Sequence, residues 1–359
     1  MEYLVPPKGF SQKIDYRPPV NLRPEWKHLF KPDYKYLGLK LGARILTNVF
    51  VNHYGLVIKN GILVKGCAPN IGISTYDKTY LMTHWRKATE QMLVAKYGKS
   101  VPSIKLDDNR TYLVIHSPWF SYYFWLTECL PRLLMVKEHL KELTLIYPES
   151  WKNNSFVNET LDLFPELQKE VIPSDVHMWV KNLVLPEVKP WTPMVIPDLI
   201  FKVRDILVPI AQKKLPQLRE KTKIYISRDD ATFKKIYNKY SFEKIIKEFG
   251  YEIHTMSGKS IFEQINLILS AKSIVTQTGA GMVNLVFLQR NASVLDLTSK
   301  VFLKSRKYKF HFKKIVDVLQ GNYLVQFCDF KENKKLPEHG LEDLIVDLTI
   351  FEKNLLLIE

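Results

Sequence analysis

The chain is 359 residues long, 46% hydrophobic and 12% aromatic, which is ample for two domain cores and excludes a disordered or fibrous polymer. It carries 52 lysines and arginines against 37 acids, a formal net charge of +15, an excess that favours anionic partners. The first ten residues hold Pro6, Pro7 and Gly9, and no stretch of about 18 apolar residues occurs, so neither a signal peptide nor a membrane span is expected.

Three cysteines, Cys67, Cys129 and Cys328, are an odd number in apolar surroundings and read as reduced core thiols. The N-x-Ser/Thr sequons at Asn153, Asn158 and Asn291 then read as chance, and a cytoplasmic location is expected.

Residues 1–40 are rich in proline and tyrosine and predict an extended arm. Residues 48–64 alternate apolar with polar and contain Lys59-Asn60-Gly61, which predicts a hairpin closed by a type I′ turn. Residues 111–116 and 144–147 read as buried strands around a helix over 122–140. On that helix Phe124, Glu128 and Arg132 recur at intervals of four and share a face, and Pro131 predicts a kink. A carboxylate on so apolar a helix either pairs with a cation, Arg132 being the one in reach, or serves as a general base. His116, at a strand end before Ser117-Pro118, is the rival base.

Pro186, Pro190, Pro193 and Pro197 punctuate a linker, and a helix over 202–218 leads into a second domain. From residue 223 to 297 strand and helix alternate. A strand ends in Ser227-Arg228-Asp229-Asp230. A helix follows, with Phe242, Ile245, Ile246 and Phe249 on one stripe and Gly250 as its stop. Then come a strand over 251–254, a helix from Ile261 to about Ala271, a strand over 273–275, an apolar helix over 282–288 and a strand over 293–297. Such alternation predicts a parallel sheet with helices on its faces. Residues 341–357 carry a further helical pattern.

The most informative stretch is Thr278-Gly279-Ala280-Gly281, between a strand and a helix. Its glycines permit a sharp turn and a close backbone approach. The helix start aims N–H groups and a positive dipole end at what lies before it, as a diphosphate requires. Tight packing of helix on strand would use the same residues. Arg228, the Gly279 turn and Asp296 all fall at the carboxyl ends of predicted strands, where parallel sheets bind ligands.

Taken together, Ser227-Arg228, Lys234-Lys235 with Asn238, Glu263-Gln264-Ile265, Gly279-Ala280-Gly281 with Asn284, and Val294-Leu295-Asp296 resemble the C-terminal half of glycosyltransferase family 61. Phe124-Trp125-Leu126 with Leu130-Pro131-Arg132-Leu133 is similar to its N-terminal signature. Phe124 and Thr278 stand where that family usually has histidine. The resemblance covers roughly residues 40–300. It implies an α/β protein of GT-B type, two Rossmann-like domains facing a central cleft. A sugar would pass with inversion from a nucleotide-sugar donor, UDP-linked, to a glycan or lipid-linked glycan acceptor of a surface polysaccharide.

The implied organisation is an arm over 1–40, an acceptor-binding domain over 41–200, a donor-binding domain over 201–335, and a last helix over 336–359 that packs back toward the first domain. The donor would meet Arg228, Lys234, Asn238, Gln264, Thr278, Gly279, Ala280, Gly281, Asn284 and Asp296. Glu128, His116 and Arg132 would serve catalysis. The nucleotide sugar is a co-substrate and no cofactor is implied. No Asp-x-Asp occurs, so no metal is expected and cations would carry the leaving diphosphate. An inactive relative that binds glycan or scaffolds other enzymes, and another group transferase such as a pyruvyl transferase, remain as alternatives.

Lys300, Lys304, Arg306, Lys307, Lys309, Lys313 and Lys314 interleave with Phe302, Tyr308, Phe310 and Phe312 without an acid. This suggests peripheral contact with an anionic surface, either the headgroups of a membrane's inner face or a phosphorylated glycan, or else a solvated basic surface. Nucleic acid is not expected, since no nucleic-acid module accompanies the charge.

Overall fold

The computed structural model describes residues 2–10, 14–30, 39–68, 75–97, 101–189, 194–215, 222–304, 310–331 and 342–358. The chain forms two compact units: Met1–Gln12 with Tyr36–Val203, and Lys13–Lys35 with Arg204–Glu359. The residues read as one arm are therefore divided between the units.

Unit 1 is a mixed sheet. Its strands are β1 (Glu2–Gly9), β2 (Lys40–Val51), β3 (Val57–Lys59), β4 (Ile62–Leu63), β5 (Ser103–Leu106), β6 (Thr111–Leu113), β7 (Leu143–Pro148), β8 (Gln168–Ile172) and β9 (His177–Pro186). The order is β4-β3-β2-β9-β6-β7-β8, with β1 on β2 and β5 on β9. Strands β9, β6, β7 and β8 are mutually parallel, while β2 runs antiparallel to β9. The β3–β4 hairpin turns through Asn60 (φ 51°) and Gly61 (φ 78°), both left-handed as a type I′ turn demands.

Helix α1 (Thr75–Lys96) has too weak a periodicity for the sequence to have announced it. The expected helix over 122–140 is broken into pieces. Helix α2 (Tyr122–Phe124) runs into a π-turn (Trp125–Cys129), then α3 (Leu130–Met135), then a 3₁₀ turn (Lys137–Glu142). Pro131 has no N–H to donate, and the Leu130 N–H reaches back to the Trp125 carbonyl, five residues earlier. The expected kink takes this form. Helix α4 (Ser155–Leu161) follows, and α5 (Pro197–Lys214) starts on a proline, which the first helical turn tolerates.

Unit 2 is a parallel sheet with one antiparallel edge. Its strands are β10 (Thr222–Ile226), β11 (Glu252–His254), β12 (Ala271–Gln277), β13 (Ser293–Ser299), β14 (Asn322–Lys331) and β15 (Asp343–Ile345), in the order β11-β10-β12-β13-β14-β15. Helices α6 (Lys239–Glu248) and α7 (Ile261–Ser270) lie between β10, β11 and β12 in the chain, and α8 (His311–Val318) lies between β13 and β14. The order reverses between β10 and β12, which makes that boundary a topological switch point.

The last helix departs from expectation. Residues 343–345, read as helical, pair with β14 as a strand. Helix α9 (Leu348–Leu356) then buries Phe351 and Leu355 in the core of unit 2, with Phe242 4.7 Å from Phe351 between ring centroids. The segment around Asn21 also belongs to unit 2: the Val325 N–H donates to Asn21 Oδ1 at 3.1 Å, and Asn21 Nδ2 donates to the Val325 carbonyl at 2.8 Å.

The basic and aromatic stripe is not a single surface. Phe310, Phe312, Lys313 and Lys314 are buried, and Lys313 pairs with Asp317 at 2.5 Å. Lys300 pairs with Asp329 at 2.7 Å. Arg306, Lys307, Tyr308 and Lys309 lie outside the described residues, as does the side chain of Lys304. No described helix is long and apolar enough to cross a membrane. The three cysteines are free and buried.

Helix α7 begins with a complete capping box. Ser260 Oγ accepts from the Glu263 N–H, and Glu263 accepts from the Ser260 N–H. Ser260→Ala should lower unfolding free energy by about 1 kcal/mol with the slope against denaturant unchanged. A loss within error of zero in a urea titration would mean that the box contributes nothing.

Candidate functional site

In unit 2 the register of three strands builds one rim. Thr276 lies opposite Ile226 on one side and Asp296 on the other, so Arg228 and Thr278 leave the carboxyl ends of β10 and β12 at about one level, while Asp296, expected at a strand end, lies within β13, which runs on to Ser299. Arg228 lays its guanidinium over Gly279, where a Cβ would collide with Nη1. Gly279 itself is extended (φ 178°), so a side chain there would disturb the close approach of Arg228 and would not strain the backbone. The space a Cβ would take at Gly281 is open, and Ala280 is exposed. The run that follows, Ala280–Phe287, is a 3₁₀ helix, not the α-helix its apolar spacing suggested.

Arg228 is half-buried and its Nε has no hydrogen-bond partner. Lys234 holds a left-handed backbone (φ 64°), uncommon for a lysine. Burial and the neighbouring Arg228 charge push its pKa down, while Asp296 pulls it up. Two half-buried cations thus share one rim at the switch point.

The other residues assigned to the donor support this rim from within the fold. Asp296 is 1% exposed; its Oδ1 accepts from Thr278 at 2.6 Å and its Oδ2 from Tyr323 at 2.5 Å. Its oxygens are thus engaged, and it acts on the turn through Thr278. Burial raises its carboxyl to about 6 against the two hydrogen bonds. Asn284 Nδ2 donates to Gln264 Oε1 at 2.9 Å, tying the 3₁₀ helix to α7. Asn238 exchanges two hydrogen bonds with the Val346 backbone at 2.8 and 3.0 Å, anchoring the approach to α9.

In unit 1 the three residues assigned to catalysis are all buried, at 2–3% exposure. Arg132 does not pair with Glu128 as the helix spacing suggested. Its Nη1 donates to the carbonyls of Ile115 at 2.7 Å and His116 at 3.0 Å, and its Nε to that of Pro186 at 2.8 Å. It clasps the ends of β6 and β9. Glu128 instead faces Lys189, with Oε1 and Nζ 3.7 Å apart. Burial pushes the Glu128 carboxyl up and the Lys189 amine down, and each is drawn back by the other's charge. The π-turn changes the helical phase between Phe124 and Arg132, which is why spacing alone named the wrong partner.

His116 lines a cavity of about 380 Å³ in the same unit. Burial first, and Arg132 second, bring its pKa down to about 3, so it is a weak base at neutral pH. The cavity also gathers His53, Ser117, Phe120, Trp151 and Asp175. His53 Nε2 lies 3.6 Å from Asp175 Oδ1, and His53 and His177 face each other at 3.4 Å between Nδ1 atoms. The sequence reading passed over these residues and over Lys189. The turn Asn52-His53-Tyr54-Gly55 after a long apolar strand was the available signal.

Two predictions follow from these buried charges. Glu128→Gln leaves the Lys189 charge without its partner and should destabilise the protein by about 3 kcal/mol in chemical denaturation. An unchanged midpoint would show that the pair is not held in the native state. In the folded protein the Asp296 carboxyl is pushed up to about 6, above the ordinary aspartate value of 3.8 that it has in the unfolded chain. The folded state therefore binds more protons between those values, and stability should fall as pH rises from about 4 to 6, by up to about 3 kcal/mol, then level off. Asp296→Asn should remove that slope; its persistence in the variant would assign it to another group.

Among solved structures the chain is similar to aspartate transcarbamoylase from Trypanosoma cruzi, ligand-free and in complex with phosphate. Each shows 10% identity over 73% of this chain and 96% of that chain, with TM-scores of 0.15 and 0.13. Likeness that low carries no argument. No curated protein matches the chain. The family model described as Glycosyltransferase 61 matches residues 122–295, from α2 through β13. That span takes in Glu128, Arg132 and Lys189 of unit 1 and Arg228, Lys234 and the Gly279 turn of unit 2, and over it the chain is similar to glycosyltransferase family 61.

Proposed function

We propose that the protein is a GT-B inverting glycosyltransferase that moves a sugar from a UDP-linked donor to a hydroxyl of a glycan, free or lipid-linked, in the building of a surface polysaccharide. The observation that carries this reading is the cationic rim of unit 2: Arg228 laid over Gly279, with Lys234 beside it, at the switch point of a parallel sheet. In an inverting transfer the acceptor oxygen bonds the anomeric carbon as the bond to the diphosphate oxygen breaks. The electron pair of that bond goes to the diphosphate, and the acceptor proton passes to solvent water. The rim's task is the charge that grows on the leaving group.

Arg228 suits that task because its Nε–H is unclaimed and a guanidinium binds phosphate oxygens in pairs. Half-burial keeps both cations poorly hydrated, which strengthens their interaction with an anion. Asp296 orients Thr278 beside the turn, and the Asn284–Gln264 bond holds the helix behind it. In this reading the two cations take the part a divalent ion plays elsewhere. Glu128 and Arg132, engaged in their own buried contacts, stay outside the chemistry.

Arg228→Ala should melt like the wild type, bind UDP weakly in calorimetry and lose roughly 10²-fold in transfer. Gly279→Ala should do the same more mildly, by about tenfold, because its extended backbone accepts alanine while the new Cβ displaces the guanidinium. Transfer should persist in EDTA. Wild-type UDP affinity and turnover in Arg228→Ala would overturn the donor site, and strict dependence on added magnesium or manganese would overturn the metal-independent mechanism.

A further inference from the structure

The cavity of about 380 Å³ in unit 1 has no role in the donor chemistry, yet it has the properties of a built site. Its volume falls within the roughly 300–1,000 Å³ of small-molecule pockets. It is bounded by residues that follow the carboxyl ends of three parallel strands: His116 to Phe120 after β6, Pro148 to Trp151 at the end of β7, and Ile172 to Val176 at the end of β8. Ligands bind at such edges in parallel sheets.

A second observation points to a ligand. His116 is 3% exposed, and neither ring nitrogen has a protein hydrogen-bond partner. The His53 backbone lies near enough to favour a proton on the ring, but not at hydrogen-bond geometry. An imidazole left so is costly unless something in the cavity engages it. Held neutral, it offers one donor and one acceptor.

The lining also states what kind of ligand fits. Among the described residues that line it there is no lysine or arginine, although the chain carries 52 of them. The carboxylate of Asp175, 85% exposed, stands at its edge. A phosphate or other anion would meet a negative charge and no cation. A cation would find a single carboxylate in the described lining, that of Asp175, which is exposed to solvent screening and already faces His53 at 3.6 Å. What remains is an uncharged molecule with many hydroxyls. The walls match such a ring on both counts: Phe120, Ile146 and Ile172 offer apolar surface to its C–H faces, and His116, Ser150 and Asp175 offer partners to its hydroxyls.

We propose that this cavity binds a neutral saccharide unit through the buried imidazole of His116 and the apolar wall around Phe120. That this sugar belongs to the acceptor rests on the glycosyltransferase reading; that a neutral sugar binds does not.

The test uses the full chain and saturation-transfer NMR with the methyl β-glycosides of glucose, galactose, xylose and N-acetylglucosamine, with glucuronate and inorganic phosphate as anionic counterparts. Two variants accompany it. Ser174→Trp fills the mouth from an exposed position, and His116→Asn removes the imidazole. At least one neutral glycoside should bind the wild type, and its affinity should fall about tenfold or more in both variants while UDP affinity stays unchanged. Failure of all four glycosides to bind folded wild type at millimolar concentration would overturn the proposal. So would equal binding by Ser174→Trp, or displacement of the glycoside by phosphate. UDP binding without glycoside binding would leave the donor site standing and the cavity unassigned to sugar. Glycoside binding without UDP binding would leave a saccharide site on a protein that is not a transferase.

Discussion

The register of β10, β12 and β13 is the constraint on which unit 2 depends. Thr276 sits opposite both Ile226 and Asp296, so β10 and β12 end within one residue of each other beside Asp296, which lies inside β13. Ile224, Ile274, Val275, Val294 and Leu295 are essentially without exposure and hold that register from below. A slip of one residue in β12 would turn each of its side chains to the opposite face. The Thr278–Asp296 bond would be lost, and Gly279 would no longer lie under Arg228. The polar layer also helps to set the register, since Asp296 is bonded from β14 by Tyr323 as well as from the turn by Thr278. Chemistry at the rim and packing beneath it are one arrangement.

Unit 1 handles buried charge in another way. Arg132 meets three backbone carbonyls at the ends of two strands, groups that would otherwise lack donors once β6 and β9 stop pairing. Leu130 and Leu133 are fully buried around it, and Pro131 excludes an N–H where the π-turn needs none. Leu-Pro-Arg-Leu therefore has a structural meaning, a buried clasp that closes a sheet edge. Glu128 and Lys189 compensate each other in the same interior. Such a pair stabilises little when intact and destabilises strongly when broken, so the Glu128→Gln experiment reports on architecture first.

How much of this was legible in the sequence follows from which forces were local. The β3–β4 hairpin was readable because Asn60 and Gly61 adopt left-handed geometry on their own account. The strand and helix alternation over 223–297 was readable because each apolar stripe is confined to one element. Arg228, Thr278 and Gly279 were readable as one rim because parallel strands bring their carboxyl ends together. What escaped depended on distant partners. Lys189 lies 61 positions from Glu128, and nothing near it names its partner. Strand β9 supplies the centre of the unit 1 sheet yet starts with His177, which pattern alone does not mark as a strand. The burial of Lys313 beside Asp317 reverses what charge counting said of the basic stripe, because a lysine four residues from an acid on one helix can enter a core with it.

The same point bears on the net charge of +15, which by itself locates nothing. Lysines such as Lys300 and Lys239 are exposed and already paired with Asp329 and Asp229 at 2.7 Å, where solvent and salt weaken their reach. The cations that can act on a ligand are those with reduced hydration and unclaimed donors, and Arg228 at the unit 2 rim meets both conditions. The unit 1 cavity is the counter-case, a space in a basic protein from which lysine and arginine are absent among its described lining. An abundance of positive charge would flood an unselective surface with anions. Placing it half-buried at one strand edge, and withholding it from another, is the contrast on which the proposed diphosphate site and the proposed neutral-ring site both rest.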